Sequence, residues 1–360
     1  MIKHAYIHIP FCLRKCKYCS FVSGENIDNK GIYLNKLSEE IKTRYKGEVL
    51  KTLYIGGGTP SLLNGEDMYE IINAFIADKN AEITIEANPE SVELKKFTEY
   101  KKAGINRVSI GIQTFNNDIL SYIGRKHTSN QAVNAVETIK SAGFNNISID
   151  LIYGLPNQSV KDFEEDIKSA LSLGVQHISS YGLKIEEGSF FYENRPDKIP
   201  DDEMQAEMYN ILCDKLIKYN HYEISNFGLE GFESGHNTAY WRNKEYYGFG
   251  LNASGYEGNL RYKNTSDFKK YIENPFYREE EILLTEQETM ENEIFLALRL
   301  KEGININKIN KKYNTDFMTK YNKIISKYVN LGLLKTENET VKLTRRGILL
   351  SNEIMSEFID

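Results

Sequence analysis

Three cysteines near the amino terminus have a spacing that suits metal binding. Cys12, Cys16 and Cys19 form the pattern C-x3-C-x2-C. Three thiolates on one short loop can bind three irons of a [4Fe-4S] cluster and leave the fourth iron open for another ligand. Zinc is the alternative, with His4 or His8 as the fourth ligand, but zinc sites usually arrange their ligands as two pairs. The spacing therefore favours an iron–sulfur cluster over zinc.

The fourth cysteine, Cys213, is far from this group and lies in a stretch with the periodicity of an amphipathic helix. A disulfide framework would distribute its cysteines along the chain to join distant segments. The clustering of the other three indicates metal binding in a reducing compartment instead, and Cys213 is predicted to be a small core residue. No apolar run reaches the roughly 18 residues that a membrane helix requires. Since the amino terminus also lacks the pattern of a secretory signal, we expect a cytoplasmic protein.

The first half of the sequence alternates short apolar runs with amphipathic segments. Strands are predicted at residues 4–9, 52–55, 82–87, 107–112, 147–153 and 177–183. Six successive βα units indicate a parallel sheet with right-handed crossovers. Such a sheet is either open and doubly wound or curved into a complete or partial barrel.

The unusual residues of this half gather where the predicted strands end. They include the cysteine loop, the glycine run 56–58 and the side chains of Glu86, Gln113 and Asp150. In an α/β barrel the carboxyl-terminal ends of the strands form a single face, and chemistry gathers there. An open sheet would instead offer one crevice at its switch point. We therefore predict an α/β fold built on a partial (β/α)6 barrel.

The pattern changes at about residue 189. Residues 221–262 are rich in Gly, Tyr and Asn, which is typical of short strands and loops. From about residue 285 the chain contains three helical segments and then two short strands that could form a wing. We predict a barrel domain at 1–188, a small α+β extension at 189–284 and a C-terminal winged-helix-like domain at 285–360.

Six motifs occur in order along the chain. They are Tyr6-Ile-His-Ile-Pro-Phe-Cys12, Gly56-Gly-Gly-Thr-Pro60, Glu86-Ala-Asn-Pro89, Gly111-Ile-Gln-Thr-Phe115, Gly124-Arg-Lys-His127 and Asp150-Leu-Ile-Tyr-Gly-Leu-Pro156. Together with the cysteine spacing after the first strand, they resemble the radical SAM superfamily. Within it they resemble the family of oxygen-independent coproporphyrinogen dehydrogenase and its paralogues, the heme chaperones of the HemW type. The resemblance covers nearly the whole chain.

The resemblance implies that the open iron binds S-adenosylmethionine (SAM) through its amino and carboxylate groups. An electron from the cluster would cleave the carbon–sulfur bond to the ribose and start radical chemistry, and the barrel would exclude water from it. The glycine run would let the backbone approach the methionine end closely. The implied SAM contacts are Tyr6, Tyr18, Gly56, Gly57, Gly58, Thr59, Glu86, Gln113, Arg125 and Asp150.

Three features distinguish the two branches of this family. The dehydrogenases carry a fourth cysteine where this chain has Phe21, and a substantial extension before the cluster, whereas eleven residues precede Cys12 here. The segment His236-Asn-Thr-Ala-Tyr-Trp241 matches the H-N-x-x-Y-W motif of the chaperones. The resemblance therefore implies a protein that binds heme and delivers it to apo-hemoproteins, respiratory enzymes in particular, with a SAM site that need not turn over a substrate.

The chaperone motif suggests heme contacts. The imidazole of His236 would bind the heme iron, and Tyr240 and Trp241 would flank the porphyrin. The alternative is a structural role, in which His236 orders a loop and the two aromatic side chains fill an interface between domains. His221 and the remaining histidines stay open as axial ligands.

Two other functions stay open at this point. One is oxidative decarboxylation of two propionates of coproporphyrinogen III to vinyl groups. The other is DNA binding by the winged-helix-like domain. The net charge of −6, however, shows no overall excess of positive charge of the kind that nucleic-acid-binding proteins carry. We expect heme and an apo-hemoprotein as partners, and no nucleic acid. The sequence does not identify the electron donor. A homodimer is one possible assembly. Any membrane contact is expected to be peripheral, through a respiratory enzyme that accepts the heme.

Overall fold

The computed structural model of the chain describes residues 1–359. Its main sheet has nine strands. They are β1 (His4–Ile9), β2 (Leu50–Gly57), β3 (Ala77–Ala87), β4 (Arg107–Gln113), β5 (Ile147–Tyr153), β6 (His177–Gly182), β7 (Asn220–Glu223), β8 (Asn226–Gly228) and β9 (Tyr247–Phe249). All six predicted strands are present, and β2 and β3 begin earlier than their sequence patterns indicated.

The order of the strands decides between the two predicted architectures. The sheet runs β7-β8-β6-β5-β4-β3-β2-β1-β9, and its first six strands pair in parallel with their sequence neighbours. A doubly wound sheet would reverse its order at a switch point, and no such reversal occurs among these six. β9 pairs with β1, and β8 pairs with β6, so the first and sixth strands do not close on each other. The prediction of a partial (β/α)6 barrel is confirmed.

Helices follow the barrel strands and cover their outer face. They are α1 (Lys30–Arg44), α2 (Gly65–Asn73), α3 (Leu94–Ala103), α4 (Asn117–Tyr122), α5 (Ser129–Ser141) and α6 (Val160–Ser172). Outward-facing side chains of the strands, such as Ile7 and Ile85, are fully buried against them. Gly104 ends α3 with a φ of 108°, a backbone conformation that glycine adopts without steric cost.

The middle of the chain contains four helices and a small sheet. These are α7 (Phe190–Glu193), α8 (Asp202–Lys215), α9 (Gly235–Trp241), α10 (Phe268–Glu273) and the antiparallel strands β10 (Ser254–Glu257), β11 (Leu260–Asn264) and β12 (Arg278–Leu283). Cys213 lies on α8, half-buried against the main core, as predicted. The expectation of only strands and loops between residues 221 and 262 is wrong, because α9 lies there.

Residues Met290 to Phe358 form a second hydrophobic core. Its elements are α11 (Glu286–Arg299), β13 (Ile304–Asn305), α12 (Ile306–Tyr313), α13 (Phe317–Asn330), β14 (Leu334–Glu337), β15 (Thr340–Leu343), α14 (Arg345–Leu349) and α15 (Ser351–Ser356). β14 and β15 form the predicted wing. On this domain Lys327 pairs with Glu357 and Lys335 with Glu337, which neutralises part of its basic surface. The exact domain limits stay a prediction.

Within residues 1–359, every helix is too short or too polar to cross a membrane.

Candidate cofactor site

The three cysteines lie on a loop that directly follows β1. The backbone of this loop is closed by two hydrogen bonds, from Cys12 N–H to the Gly24 carbonyl at 3.0 Å and from Gly24 N–H to the Pro10 carbonyl at 2.8 Å. A third bond, from Lys17 N–H to the Ile123 carbonyl at 3.0 Å, fastens the loop to the end of α4. Bonds within the loop and one bond to the end of α4 therefore hold the loop at the carboxyl-terminal end of the barrel.

Two of the thiols receive hydrogen bonds from neighbouring strands and loops. Thr59 Oγ1 donates to the sulfur of Cys12 at 3.5 Å, and Arg125 Nη1 donates to the sulfur of Cys16 at 3.5 Å. Hydrogen-bond donors to a sulfur stabilise its thiolate form, and they orient the thiolate as a ligand and alter the redox potential of the metal it binds. Burial raises the pKa of the Cys19 thiol to about 11, and a bound cation such as iron would favour its ionised form.

The two histidines considered as a fourth zinc ligand are not placed for that role. Sulfurs bound to one zinc ion lie within roughly 4.6 Å of each other, because each Zn–S bond is about 2.3 Å long. Within residues 1–359, no three His, Cys, Asp or Glu side chains come together in a way that could hold a single metal ion. His8 uses both ring nitrogens, toward Tyr6 Oη and the Val22 carbonyl, and His4 lies at the far end of β1. Neither histidine is placed to complete a zinc site with the three half-buried thiols.

The glycine run that follows β2 packs against the start of the cysteine loop. Gly58 N–H donates to the Ile9 carbonyl at 2.8 Å, and Thr59 N–H donates to the Phe11 carbonyl at 2.6 Å. A Cβ at Gly58 would lie 2.6 Å from the same Phe11 carbonyl oxygen. Only glycine permits this approach, so the run brings its backbone to the cysteine loop, and its predicted approach to the methionine end of SAM stays a prediction.

Gly57→Ala is expected to destabilise the protein more than Gly143→Ala. Both glycines have positive φ, 112° and 93°, which is strained for alanine and costs about 1–3 kcal/mol. A Cβ at Gly57 would also lie 2.6 Å from the buried ring of His8, whereas nothing lies within 4 Å of one at Gly143. Overpacking adds about 1–3 kcal/mol at Gly57. Thermal unfolding midpoints measure the difference, and equal midpoints for the two variants would contradict this packing.

Glu86 ends β3 and turns its carboxylate toward the glycine run. Tyr54 Oη donates to Glu86 Oε1 at 2.7 Å, and Gly57 N–H donates to Oε2 at 3.0 Å. Burial raises the pKa of this carboxyl to about 7, although both hydrogen bonds favour the charged form. No lysine or arginine pairs with Glu86 among the residues that the structure describes. A buried acid without a basic partner suits a cationic ligand such as an ammonium group.

Arg125 connects the cysteine loop to two other strand ends. Besides its bond to Cys16, its Nη2 donates to Asn88 Oδ1 at 2.7 Å and to the Gly111 carbonyl. Its Nε is buried and has no hydrogen-bond partner among the described residues. A buried donor without an acceptor is costly, so this position fits a carboxylate ligand.

Asn88 belongs to the site although its role was not predicted. Its side chain accepts from Arg125 and donates through Nδ2 to Thr59 Oγ1 at 2.9 Å, which in turn donates to Cys12. Asn88 therefore orients two of the groups that contact the thiols. Its place in Glu86-Ala-Asn-Pro89 was the only signal in the sequence.

Gln113 and Asp150 complete the polar lining of this end of the barrel. Gln113 has a φ of 73° at a register shift between β4 and β5, and such irregularities often redirect a side chain near a functional site. Asp150 accepts from Ser109 Oγ at 3.2 Å, and burial raises the pKa of its carboxyl. Gln113 ends β4, as predicted, whereas Asp150 lies in the middle of β5 and not at its end.

The two predicted tyrosines lie on different segments, Tyr6 on β1 and Tyr18 on the cysteine loop. Tyr6 stacks on Tyr54 with ring centroids 6.1 Å apart, and its hydroxyl is 3.1 Å from His8 Nδ1. Tyr18, on the loop itself, packs beside Ile119, Ile123 and Leu155. Their contacts with SAM stay a prediction.

His236 lies at the other end of the barrel, on α9, which covers the amino-terminal ends of the strands. The N–H groups of Gly235 and His236 donate to the carboxylate of Glu82, near the middle of β3, at 2.9 and 3.0 Å. The His236 ring is buried, with Nδ1 2.7 Å from Thr52 Oγ1 and Nε2 2.8 Å from Tyr240 Oη. Both ring nitrogens are therefore engaged in this conformation, and iron binding by His236 would require one of these bonds to break.

Tyr240 and Trp241 are also engaged within the protein. Tyr240 packs on Tyr246 with centroids 4.4 Å apart. The guanidinium of Arg299, on α11, lies 4.2 Å from the Trp241 ring centroid and so connects α9 to the C-terminal domain. These contacts match the structural alternative for the two aromatic residues, and their contact with heme stays a prediction.

Two family models and a solved structure match this chain. Residues 6–170 match the Radical SAM superfamily, and residues 284–350 match the HemN C-terminal domain. The first match confirms the predicted cofactors of the barrel, a [4Fe-4S] cluster and SAM. The structure is similar to that of coproporphyrinogen III oxidase (HemN) from Escherichia coli, with a TM-score of 0.88 over 99% of this chain and 90% of that one, at 22% identity. At that identity the similarity supports the fold alone.

Similar sequences extend along the entire chain. The heme chaperone HemW of Lactococcus lactis is 38% identical over 99% of this chain and 97% of its own length. The heme chaperone HemW of Bacillus subtilis is 38% identical over 99% of both chains. This level of sequence identity is higher than a shared fold alone requires. The aligned region covers both the cysteine loop and the C-terminal domain. This chain therefore belongs to the radical SAM superfamily and, within it, to the family of the HemW heme chaperones.

Proposed function

We propose that this protein is a heme chaperone, which binds heme and passes it to apo-hemoproteins. The observation that carries the proposal is the 38% identity to two heme chaperones over 97% or more of their lengths. The exposed side chain of Phe21 stands where the dehydrogenase branch has its fourth cysteine, which favours the chaperone over the decarboxylase. The likeness to HemN supports only the shared fold.

The residues at the carboxyl-terminal end of the barrel fit a cluster with SAM. We propose that Cys12, Cys16 and Cys19 hold the cluster, while Glu86 binds the ammonium of SAM and Arg125 its carboxylate. When both are bound, the cluster supplies an electron for SAM cleavage. Asn88 and Thr59 orient the groups around the sulfurs, and the glycine run packs against the start of the cysteine loop. Gln113 and Asp150 are proposed to contact the remaining polar groups of SAM.

The acceptors are proposed to be enzymes of the respiratory chain, on the basis of the family resemblance. Many such enzymes lie in membranes, so the chaperone would meet them as a peripheral protein. The lack of a membrane-spanning helix within residues 1–359 is compatible with that encounter. Assembly as a homodimer stays a prediction.

Hemin titration beside a coproporphyrinogen assay tests the proposed function. The cluster-loaded protein is expected to shift the Soret band of hemin and to saturate at one heme per chain. It is expected to leave coproporphyrinogen III unchanged in the presence of SAM and a reductant. An unshifted Soret band, or formation of vinyl groups from coproporphyrinogen, would contradict the proposal.

A further inference from the structure

Tyr54 connects the two ends of the barrel interior. It lies on β2 between Thr52 and Gly56, and residues two apart on a strand face the same side of the sheet. Its hydroxyl donates to Glu86 Oε1 at 2.7 Å, toward the cofactor site. Its ring lies against the His236 ring, with centroids 5.1 Å apart and an interplanar angle of 28°. One side chain therefore contacts both a residue proposed to bind SAM and the helix that covers the opposite end of the barrel.

Aromatic rings from β1 and from α9 pack against the Tyr54 ring. The ring of Tyr6, on β1, lies 6.1 Å from it at an interplanar angle of 27°, and the ring of His236 is the contact from α9. Along β2 itself, a Cβ at Gly56 would lie 2.9 Å from the Tyr54 ring and 3.0 Å from the carboxyl carbon of Glu86. Because protein interiors are close-packed, removal of one of these rings leaves space into which Tyr54 can move. The direction of its hydroxyl toward Glu86 therefore depends on His236.

The His236 ring is fixed at both of its nitrogens. Nδ1 lies 2.7 Å from Thr52 Oγ1, and Nε2 lies 2.8 Å from Tyr240 Oη. The backbone N–H of His236 also donates to Glu82 at 3.0 Å. A buried ring with both nitrogens engaged cannot rotate without the loss of a hydrogen bond, which is costly in the interior. Helix α9 thus presents a fixed surface to Tyr54.

We propose that His236 is a positioning residue for the SAM site, which holds Tyr54 in the orientation that donates to Glu86. The H-N-x-x-Y-W motif then acts on SAM binding from the amino-terminal end of the barrel. This inference rests on the proposed function, because that function assigns the ammonium of SAM to Glu86. In this role His236 acts through Tyr54 and does not itself contact the ligand.

The bond from Tyr54 affects how readily Glu86 ionises. Burial raises the pKa of Glu86 to about 7, while the hydrogen bonds from Tyr54 and from the Gly57 N–H act against that rise. The nearby charge of Asp150 adds to the rise. Loss of the Tyr54 bond therefore raises the pKa of Glu86 further. Because an ammonium binds the ionised carboxyl, SAM affinity should then begin to fall at a higher pH.

Other titratable groups near Glu86 stay uncharged around neutral pH. Tyr6 and Tyr240 interact with the charge of Glu86, and burial raises the pKa of both phenols well above the ordinary value of 10. Burial lowers the pKa of His236 to about 3, so its imidazole is neutral above about pH 5. Replacement of His236 removes no charge in that range. A change in the pH profile of such a variant must therefore come from altered contacts of Glu86.

Replacement of Tyr54 and of His236 tests this arrangement. Tyr54→Phe keeps the ring and loses the hydroxyl, whereas His236→Gln keeps hydrogen-bonding groups and loses the ring. Each is expected to weaken SAM binding at pH 7 by about three- to tenfold, less than loss of a direct hydrogen bond to a charged group. Each should also move the midpoint of the pH profile of SAM affinity to higher pH. Calorimetry on the cluster-loaded protein measures both, and an unchanged midpoint in either variant would overturn the positioning role.

His236→Phe separates the ring from its hydrogen bonds. Phenylalanine restores a flat ring beside Tyr54 but cannot form the two hydrogen bonds of the imidazole. It is expected to keep the wild-type midpoint even where its thermal stability is lower, and a midpoint shifted as far as in His236→Gln would overturn a role through stacking. His221→Gln is the matched control, because His221 stacks on Phe227 with centroids 4.2 Å apart. A shift of equal size in this control would also contradict the inference.

A double variant tests whether the effect passes through Tyr54. If His236 acts by orienting the Tyr54 hydroxyl, the midpoint in the Tyr54→Phe, His236→Gln protein should equal that in Tyr54→Phe alone. Replacements that remove the same contact are non-additive in this way, whereas independent effects add. Additive shifts would overturn the proposed path.

Glu86→Gln separates failure of this inference from failure of the proposed SAM contact. If wild-type SAM affinity persists in Glu86→Gln, the contact between Glu86 and the ammonium is wrong, and this inference fails with it. If Glu86→Gln weakens binding while His236→Gln and Tyr54→Phe keep the wild-type profile, the positioning role alone is wrong.

Discussion

Replacement of Cys12, Cys16 and Cys19 by serine is expected to abolish cluster assembly. Iron content should fall from about four per chain to near zero, and the absorbance of the anaerobic protein at about 400 nm should disappear. The reason is that no other cysteine, histidine or carboxylate in the described chain joins these thiols to form a metal site. A single serine at any of the three positions should lose most of the cluster, because each thiolate binds a different iron.

Cys213→Ser is the matched control for this experiment. Cys213 is half-buried on α8, where burial raises the pKa of its thiol, and it packs against the main core. Its replacement should leave iron content and absorbance unchanged. Iron that persists in the triple variant, or that is lost in Cys213→Ser, would contradict the placement of the cluster. Stoichiometric zinc in a colourless wild-type protein would contradict the cluster itself.

Glu86→Gln is expected to weaken SAM binding by about 10–100-fold. Hydrogen bonds to charged groups contribute about 1.5–3 kcal/mol, and glutamine removes the charge while it keeps the shape. Isothermal titration calorimetry with the cluster-loaded protein measures the affinity. Glu39→Gln is the control, because Glu39 is an exposed carboxylate on α1 that pairs only with Lys36. Equal affinity of Glu86→Gln and wild type would show that Glu86 does not bind the ammonium.

SAM binding should also depend on pH through the same carboxyl. The pKa of Glu86 is about 7 in the folded protein, raised by burial from an ordinary value of 4.5. Ionised Glu86 binds an ammonium, so affinity should be highest above pH 7 and fall by up to about tenfold per pH unit below it. Glu86→Gln should lose this dependence. If the variant keeps the wild-type profile, another group is responsible.

The stability of the protein without SAM should change with pH in the opposite sense. Because folding raises the pKa of Glu86, the folded chain holds a proton that the unfolded chain has released between pH 4.5 and about 7. The contribution of Glu86 is therefore fully present below pH 4.5 and is lost as the pH rises through about 7. The proposed contact between the SAM ammonium and the ionised carboxyl would offset this loss when SAM is bound.

Much of the fold and of the cofactor site could be predicted because the relevant signals are local. Alternating strand and helix patterns predicted the barrel, and predicted strand ends matched the positions of Glu86 and Gln113. Cys12, Cys16 and Cys19 needed only their spacing. The order of the strands was also accessible, since consecutive βα units usually place neighbouring strands side by side.

Helix α9 could not be predicted, because contacts distant in sequence stabilise it. It has seven residues, fewer than the roughly 12 that an isolated helix needs in water. Ser234 caps its start, and Glu82, more than 150 residues earlier in the chain, accepts two of its first N–H groups. The motif was visible in the sequence, but its helical form depends on the barrel beneath it.

The position of His236 shows a second limit of sequence interpretation. The motif suggested a heme ligand, whereas the structure places its ring in a buried chain between Thr52 and Tyr240. A cavity lined by His4, Ala239 and Leu300 lies next to α9, between the amino-terminal end of the barrel and the C-terminal domain. That cavity forms only where strand starts, α9 and the C-terminal domain meet. Contacts among three separate segments determine it, and none of them is apparent from local pattern.

The rate of heme transfer to an apo-hemoprotein tests the central claim most directly. Heme-loaded protein is mixed with increasing amounts of membranes that carry a respiratory enzyme without its heme, and the enzyme's absorbance is followed. A chaperone passes heme within a complex, so the rate should rise with acceptor concentration and then saturate. A rate that does not change with acceptor concentration would show passive release followed by capture, and would contradict the chaperone function.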